Sequence, residues 1–327
     1  MSLAADLTRG VRLFDGALGT QLMTSGFHPQ RDMLGAGPTA LSLTRPEQVR
    51  AVHESYLDAG AQWLRTNTFL ATPGDLERNG LASRAEELAR AAARAALDAA
   101  DAWRADVPDV RVFGAIGPGA TPNTTSAQER ARDVAQLARW LLAAGVDGLV
   151  LETMTRLDHI AAVFDALAPL ARERGRDVAV SVVVSPQGRL ADGATLAEFA
   201  TWARAAHPLL VGLNCGRGPA DSEVHVAELR RHHHGPLAAL PTAGLPTDPR
   251  DHASYPVAPH EFGETLAAWV RRHELSAVGG CCGTSPRHIA ALADALGRAR
   301  PWAEFGEEAG GEAGEEIDLA LEESEEA

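Results

Sequence analysis

Eight short apolar runs recur along the chain, and each leads into a longer stretch whose apolar positions repeat at helical spacing. The runs are Val11–Phe14, Gln62–Thr66, Val110–Ile116, Gly148–Leu151, Val178–Val184, Leu209–Leu213, Pro236–Leu240 and Ala277–Gly279. Such alternation predicts parallel strands joined by crossover helices. Eight units closing on themselves predict an α/β fold of the (β/α)8 barrel type. The rival, an open doubly wound sheet, would place a phosphate loop after its first strand. Asp15-Gly16-Ala17-Leu18-Gly19-Thr20 lacks the G-x-G-x-x-G spacing that loop needs.

Helix starts are marked by hydroxyl residues with Glu three positions on: Thr44/Glu47, Ser83/Glu86, Ser126/Glu129 and Thr195/Glu198. Each predicts a capping box. The helix after Thr44 places Val49, Val52 and Tyr56 on one face and stops near Gly60. The helix after Ser126 does the same with Val134, Leu137, Ala138 and Leu141 and stops near Gly145. Ala82–Trp103 is alanine-rich enough to read as helix throughout. The first connection, Gly16 to Thr44, is long for a barrel and is expected to wall a pocket.

Charge changes the picture only at the end. The chain of 327 residues carries a net charge of −14, but 11 of its 44 acids lie between Glu304 and Ala327, where there is no Lys or Arg. The other 33 nearly balance the 30 basic residues. Residues 1–303 therefore read as the barrel and 304–327 as an acidic, low-complexity tail that solvates itself. No basic patch suggests nucleic acid. No run approaches the roughly 18 apolar residues of a membrane span. Met1 to Gly10 lacks a signal-peptide core. Three cysteines, an odd number, do not make a secreted disulfide framework. The expected setting is cytoplasmic.

In a barrel the chemistry sits at the carboxyl ends of the strands. Those ends hold Asp15, Thr66-Asn67-Thr68, Gly117-Pro118, Glu152-Thr153, Asn214-Cys215 and Cys281-Cys282. The three cysteines are either unrelated buried thiols or a three-sulfur zinc site with one position open to substrate. Convergence on one rim favours the second. Such a site binds a substrate thiol as thiolate at neutral pH, and the expected reaction is attack of that sulfur on an activated carbon. Asp15 and Glu152 are candidates for a substrate ammonium, and the N–H groups of Gly16 and Ala17 for its carboxylate. Asp15 as a plain turn residue and Glu152 as a helix cap are the alternatives. The run His232-His233-His234 reads as a solvated helix end, and His53 and His288 as structural. Trp63 and Trp202 read as barrel packing.

These motifs resemble the homocysteine S-methyltransferase family over roughly Gly10 to Arg298. They are Asp15-Gly16-Ala17-Leu18-Gly19-Thr20, His53-Glu54-Ser55-Tyr56, Ala59-Gly60-Ala61, Thr66-Asn67-Thr68-Phe69, Ile116-Gly117-Pro118, Glu152-Thr153, Gly212-Leu213-Asn214-Cys215 and Gly279-Gly280-Cys281-Cys282-Gly283-Thr284. The resemblance implies the barrel fold, Zn2+ held by Cys215, Cys281 and Cys282, and homocysteine contacts at Asp15, Thr66 and Glu152. It also implies a carboxylate cradle at Gly16 and Ala17. One motif departs: Pro241-Thr242-Ala243-Gly244 stands where the family usually reads Pro-Asn-Ala-Gly. That bears on the fit of the methyl donor.

The expected function is methyl transfer from a small donor to homocysteine, giving methionine. No folate, cobalamin or activation module is visible in the sequence. The alternatives are therefore a stand-alone enzyme or the homocysteine subunit of a split synthase served by a corrinoid protein. Other rivals are transfer to a different thiol or selenol, a non-catalytic zinc- or thiol-binding module, and a barrel with ordinary buried cysteines.

Overall fold

The computed structural model describes residues 2–105, 107, 109–121, 125–248 and 254–298. The acidic tail lies outside the described residues. All eight strands form: β1 (Arg12–Leu13), β2 (Trp63–Arg65), β3 (Arg111–Ile116), β4 (Gly148–Met154), β5 (Asp177–Val182), β6 (Val211–Cys215), β7 (Leu237–Pro241) and β8 (Ala277–Val278). They pair in parallel in the order β1-β8-β7-β6-β5-β4-β3-β2. A parallel bridge between Phe14 and Trp63 closes the ring, with Gln62 N–H donating to Leu13 O and Asp15 N–H to Trp63 O.

Helix α1 (Leu3–Thr8) precedes β1 and puts Leu3 against the barrel interior. The long first connection is folded into α2 (Leu18–Met23), α3 (Pro29–Asp32), a 3-10 turn and α4 (Leu41–Thr44). The outer ring is then α5 (Pro46–Asp58), a short α6 (Pro73–Glu77), α7 (Ala85–Trp103), α8 (Ala127–Ala144), α9 (Leu157–Glu173), α10 (Leu196–Ala206), α11 (Pro219–His232), α12 (Pro259–His273) and α13 (Pro286–Ala295).

Two apolar layers result. Phe14, Trp63 and Phe113 interlock inside the barrel with ring centroids 4.9–5.5 Å apart. A larger cluster fills the space between strands and helices, with Tyr56, Leu57, Val134, Leu137, Ala138 and Leu141 all buried, while Val49 is buried in a smaller cluster with Leu22 and Leu41. Trp202 packs edge-on against Phe164 and stacks on Phe199.

Capping follows the sequence in part. Ser126/Glu129 and Thr195/Glu198 make complete capping boxes. Thr44 does not cap α5; its hydroxyl donates to Asp32 O and Ala40 O, because α4 ends there and Arg45 occupies the cap position. Ser83 sits inside the 3-10 turn Ala82–Arg84, so α7 starts at Ala85 without a side-chain cap. The histidine run also differs: His233 is buried, with neither ring nitrogen bonded among the described residues, so only part of that helix end faces water. His288 reaches back to Ser285 N–H through Nδ1 and meets Val257 O through Nε2, a structural role.

Candidate active site

The cysteines meet because β7 stands between the two strands that carry them. Cys215 pairs with Pro241 in the β6–β7 register, and Cys281 N–H donates to Pro241 O at 2.9 Å. The next two residues continue the stitching: Thr242 N–H donates to Cys215 O and Ala243 N–H to Cys282 O. The Thr242 hydroxyl is turned inward onto Gly244 O, so this departure from the family motif presents no free polar group. Cys215 adopts a left-handed backbone, φ 62°. Its sulfur lies 3.9 Å from that of Cys282, and Cys281 and Cys282 are 4.0 Å apart. All three sulfurs fall within 4.8 Å of one another.

A tetrahedral ion with metal–sulfur bonds of about 2.3 Å needs sulfurs roughly 3.8 Å apart. The trio fits such an ion without rearrangement. In the absence of a cation the three cannot all ionise. Hydrogen bonds from Cys215 and Cys281 pull the Cys282 thiol well below its ordinary range. Hydrogen bonds to Cys281 and Cys282, together with burial, hold Cys215 far above it. A divalent cation would remove this conflict by replacing the protons. Asn214 supports the cluster: its Nδ2 donates to Thr153 Oγ1 and lies 3.8 Å from Cys281 Sγ, while its Oδ1 accepts from Thr153 N–H.

A cavity of about 510 Å³ opens beside the sulfurs, and it is lined by every site residue singled out in the sequence: Asp15, Gly16, Ala17, Thr66, Glu152 and the three cysteines. The first connection contributes Leu18, Pro38 and Thr39 to its wall, as its length suggested. Gly16 is required there, since an added Cβ would come within 2.7 Å of the Tyr56 ring and 2.8 Å of Thr284 Oγ1. Ala17 N–H already donates to Thr284 Oγ1 at 3.1 Å, and Tyr56 OH lies 3.0 Å from both Ala17 O and Thr284 O. Thr66 Oγ1 accepts from Ala115 N–H and shares a proton with Thr68 Oγ1, so its bonding is largely internal.

Arg65 was not evident in the sequence. It ends β2 and donates from Nε to Asp15 Oδ1 at 2.7 Å and from Nη1 to Glu152 Oε1. Burial raises both carboxyls, more strongly than this cation lowers them: Asp15 lies above its usual range and Glu152 is pushed up to about 7. A clue was available, because an arginine closing an apolar strand has to be paired when buried.

Fold and site together define a (β/α)8 barrel with a three-thiol centre fit for a metal and a paired carboxylate set beside it. The chain belongs to the homocysteine S-methyltransferase family, whose sequence profile matches residues 12–296. It is 34% identical over 301 residues, 89% of the chain, to a methionine synthase of Mycobacterium tuberculosis, and 32% identical over 308 residues to that of Mycobacterium leprae. The chain spans about a quarter of the length of these relatives, 25% of each. The metallated form of the Escherichia coli homocysteine methyltransferase MmuM superposes with a TM-score of 0.72 at 24% identity, over 87% of this chain and 96% of that one. Its apo form gives 0.66 at 23% identity, over 88% and 96%. At that identity the likeness carries the fold. Among the described residues no helix is long and apolar enough to cross a membrane.

Proposed function

We propose that this protein transfers a methyl group from a small donor to the sulfur of L-homocysteine, giving L-methionine, with Zn2+ held by Cys215, Cys281 and Cys282. The observation that carries the reading is the meeting of three sulfurs within 4.8 Å on a cavity that also holds Asp15 and Glu152. When bound, Zn2+ supplies the positive charge that ionises a substrate thiol at neutral pH and offers it the fourth place in the sulfur set.

The chain's own residues bind and orient. With both carboxyls ionised, Asp15 and Glu152 against Arg65 leave one surplus negative charge, which suits the substrate ammonium. Gly16 N–H has no partner among the described residues and suits the carboxylate. Ala17 N–H would join it only by sharing with Thr284 Oγ1. Thr66 Oγ1 has an acceptor site left for the same polar end. Holding that end fixes where the sulfur sits, and alignment with the methyl–donor bond supplies the rest of the rate. No protein base is needed at the transfer step once the thiol has lost its proton. Residues 1–303 would form this catalytic unit, with 304–327 appended, in a cytoplasmic setting.

A second reading makes the chain the homocysteine-binding subunit of a corrinoid-dependent methionine synthase. Among the described residues, the charged side chains lining the cavity, apart from the thiols, are Asp15, Arg65 and Glu152, and they already bond one another. A donor with its own ammonium and carboxylate would find no further charged partner there among the described residues. The test is methionine formation by zinc-loaded protein with S-methylmethionine, S-adenosylmethionine, a betaine and a methylated corrinoid, repeated with Cys215→Ala. Unchanged turnover in that variant would end both readings. Competition with selenols, and thiol binding without turnover on any donor, would point to the remaining rivals.

A further inference from the structure

Arg65 lies at the mouth of the barrel only 6% exposed, where a charged side chain must be bonded on all sides. Besides Asp15 and Glu152, its Nη2 donates to the carbonyls of Asp15 at 3.1 Å, Gly16 at 3.0 Å and Gly280 at 2.8 Å. Its own N–H donates to Asp15 Oδ2 at 2.9 Å. Gly280 is the residue before Cys281. One planar group therefore touches the carboxylates placed for the substrate ammonium, the turn placed for its carboxylate, and the strand end that carries two of the three sulfurs.

We propose that Arg65 is a positioning residue that couples recognition of the amino-acid end of the substrate to the geometry of the metal-bearing sulfurs. The inference rests on the transfer reading given above. A guanidinium suits the task because its fork presents fixed donors in several directions, whereas a lysine ammonium is a point charge on a flexible stem. Filling the ammonium position redistributes charge around Asp15 and Glu152. Arg65 adjusts with them, and its bond to Gly280 O carries the adjustment to Cys281. Without the hub, the two ends of the substrate would be read independently.

The test uses the intact chain with Co2+ in place of zinc, because cobalt–thiolate absorption reports on the sulfurs without turnover. The probes are 2-aminobutanoate, which has the amino-acid end and no sulfur, and 4-sulfanylbutanoate, which has the thiol and no amine. In the unaltered protein 2-aminobutanoate shifts the cobalt–thiolate band, and homocysteine binds roughly tenfold to hundredfold more tightly than 4-sulfanylbutanoate. In Arg65→Lys the metal content and the band of the free protein stay the same. The 2-aminobutanoate shift disappears there, and the preference for the amine falls to a few-fold.

A Lys variant that keeps both the shift and the preference overturns the proposal, as does an unaltered protein that shows no shift. Should Arg65→Lys not fold, Glu152→Gln removes the charge from a single spoke of the hub and must weaken the shift; an undiminished shift overturns the proposal equally. Failure of the transfer reading looks different: no methionine from any donor, with the band shift and amine preference intact.

Discussion

The sulfur of Cys215 lies 3.9 Å from that of Cys282, although 67 residues separate them in the chain. β6 and β8 do not pair with each other; each pairs with β7, which stands between them. The spacing is set by the Pro241–Ala243 backbone, which bonds to both sides of the gap. A metal site assembled this way depends on strand register in the barrel more than on any local motif.

Cys215→Ala removes one of three ligands and leaves the β7 stitching in place. The purified variant is expected to lose its bound metal while keeping its helical circular dichroism. Methionine formation should fall by more than the ~10–100-fold typical of losing a residue that only supports a ligand. Metal analysis beside the activity assay checks this; a variant that retains one equivalent of metal refutes it.

Gly280→Ala tests the turn. An added Cβ would meet Thr284 Oγ1 at 2.2 Å and Thr284 Cβ at 2.7 Å. Thr284 cannot retreat freely, since its hydroxyl donates to Cys281 O and accepts from Ala17 N–H. Overpacking of this kind costs about 1–3 kcal/mol. Urea unfolding should show a lower midpoint at an unchanged slope. Adding Thr284→Ala should recover part of the loss, and a strictly additive double variant would rule out the clash as the cause.

The barrel was legible because its signal is periodic: all eight strand runs and the helix faces around Val49 and Val134 are found as the hydrophobic pattern placed them. The gathering of Asp15, Thr66, Glu152 and the cysteines was legible from one rule, that strand ends share a rim. What stayed hidden depends on side-chain direction. Arg65 reads as one more strand residue until its partners are seen. The Ala17 N–H looks free until Thr284, far along the chain, is found bonded to it. Thr44 and Ser83 have the spacing of caps, but neighbouring short helices took their positions.

Glu152 gives a pH signature. Burial pushes its carboxyl up to about 7 against an ordinary 4.5, with Arg65 only partly opposing. A raised acid contributes stability that is full below about 4.5 and is lost as pH rises through about 7. For metal-free protein the loss is on the order of 3 kcal/mol. Glu152→Gln keeps an acceptor for Arg65 and should remove this contribution from the pH dependence of urea unfolding measured from pH 4.5 to 8. Because the ionised form attracts an ammonium, the homocysteine KM of the metal-loaded protein should fall as rising pH ionises Glu152. A KM that stays independent of pH from 4.5 to 8 would remove Glu152 from substrate binding.

His53 works in the opposite direction. It is fully buried in α5, neither ring nitrogen is bonded among the described residues, and burial lowers its pKa from 6.5 to about 4. A depressed base contributes stability that is present above about 6.5 and lost as pH falls through about 4, again on the order of 3 kcal/mol. The gain from His53 with rising pH therefore spans nearly the window in which Glu152's contribution is lost, and the two offset each other in the unaltered protein. His53→Leu replaces an unbonded polar ring by an apolar group, so it should leave stability at pH 7 close to unchanged or improved. It should also expose the Glu152 decline as a falling slope between pH 4.5 and 7. Glu152→Gln should expose the opposite, rising slope, and the double variant should lose both contributions. Urea unfolding of the four metal-free proteins across that range decides it: parallel profiles would show that these two buried groups do not set the pH dependence of the fold.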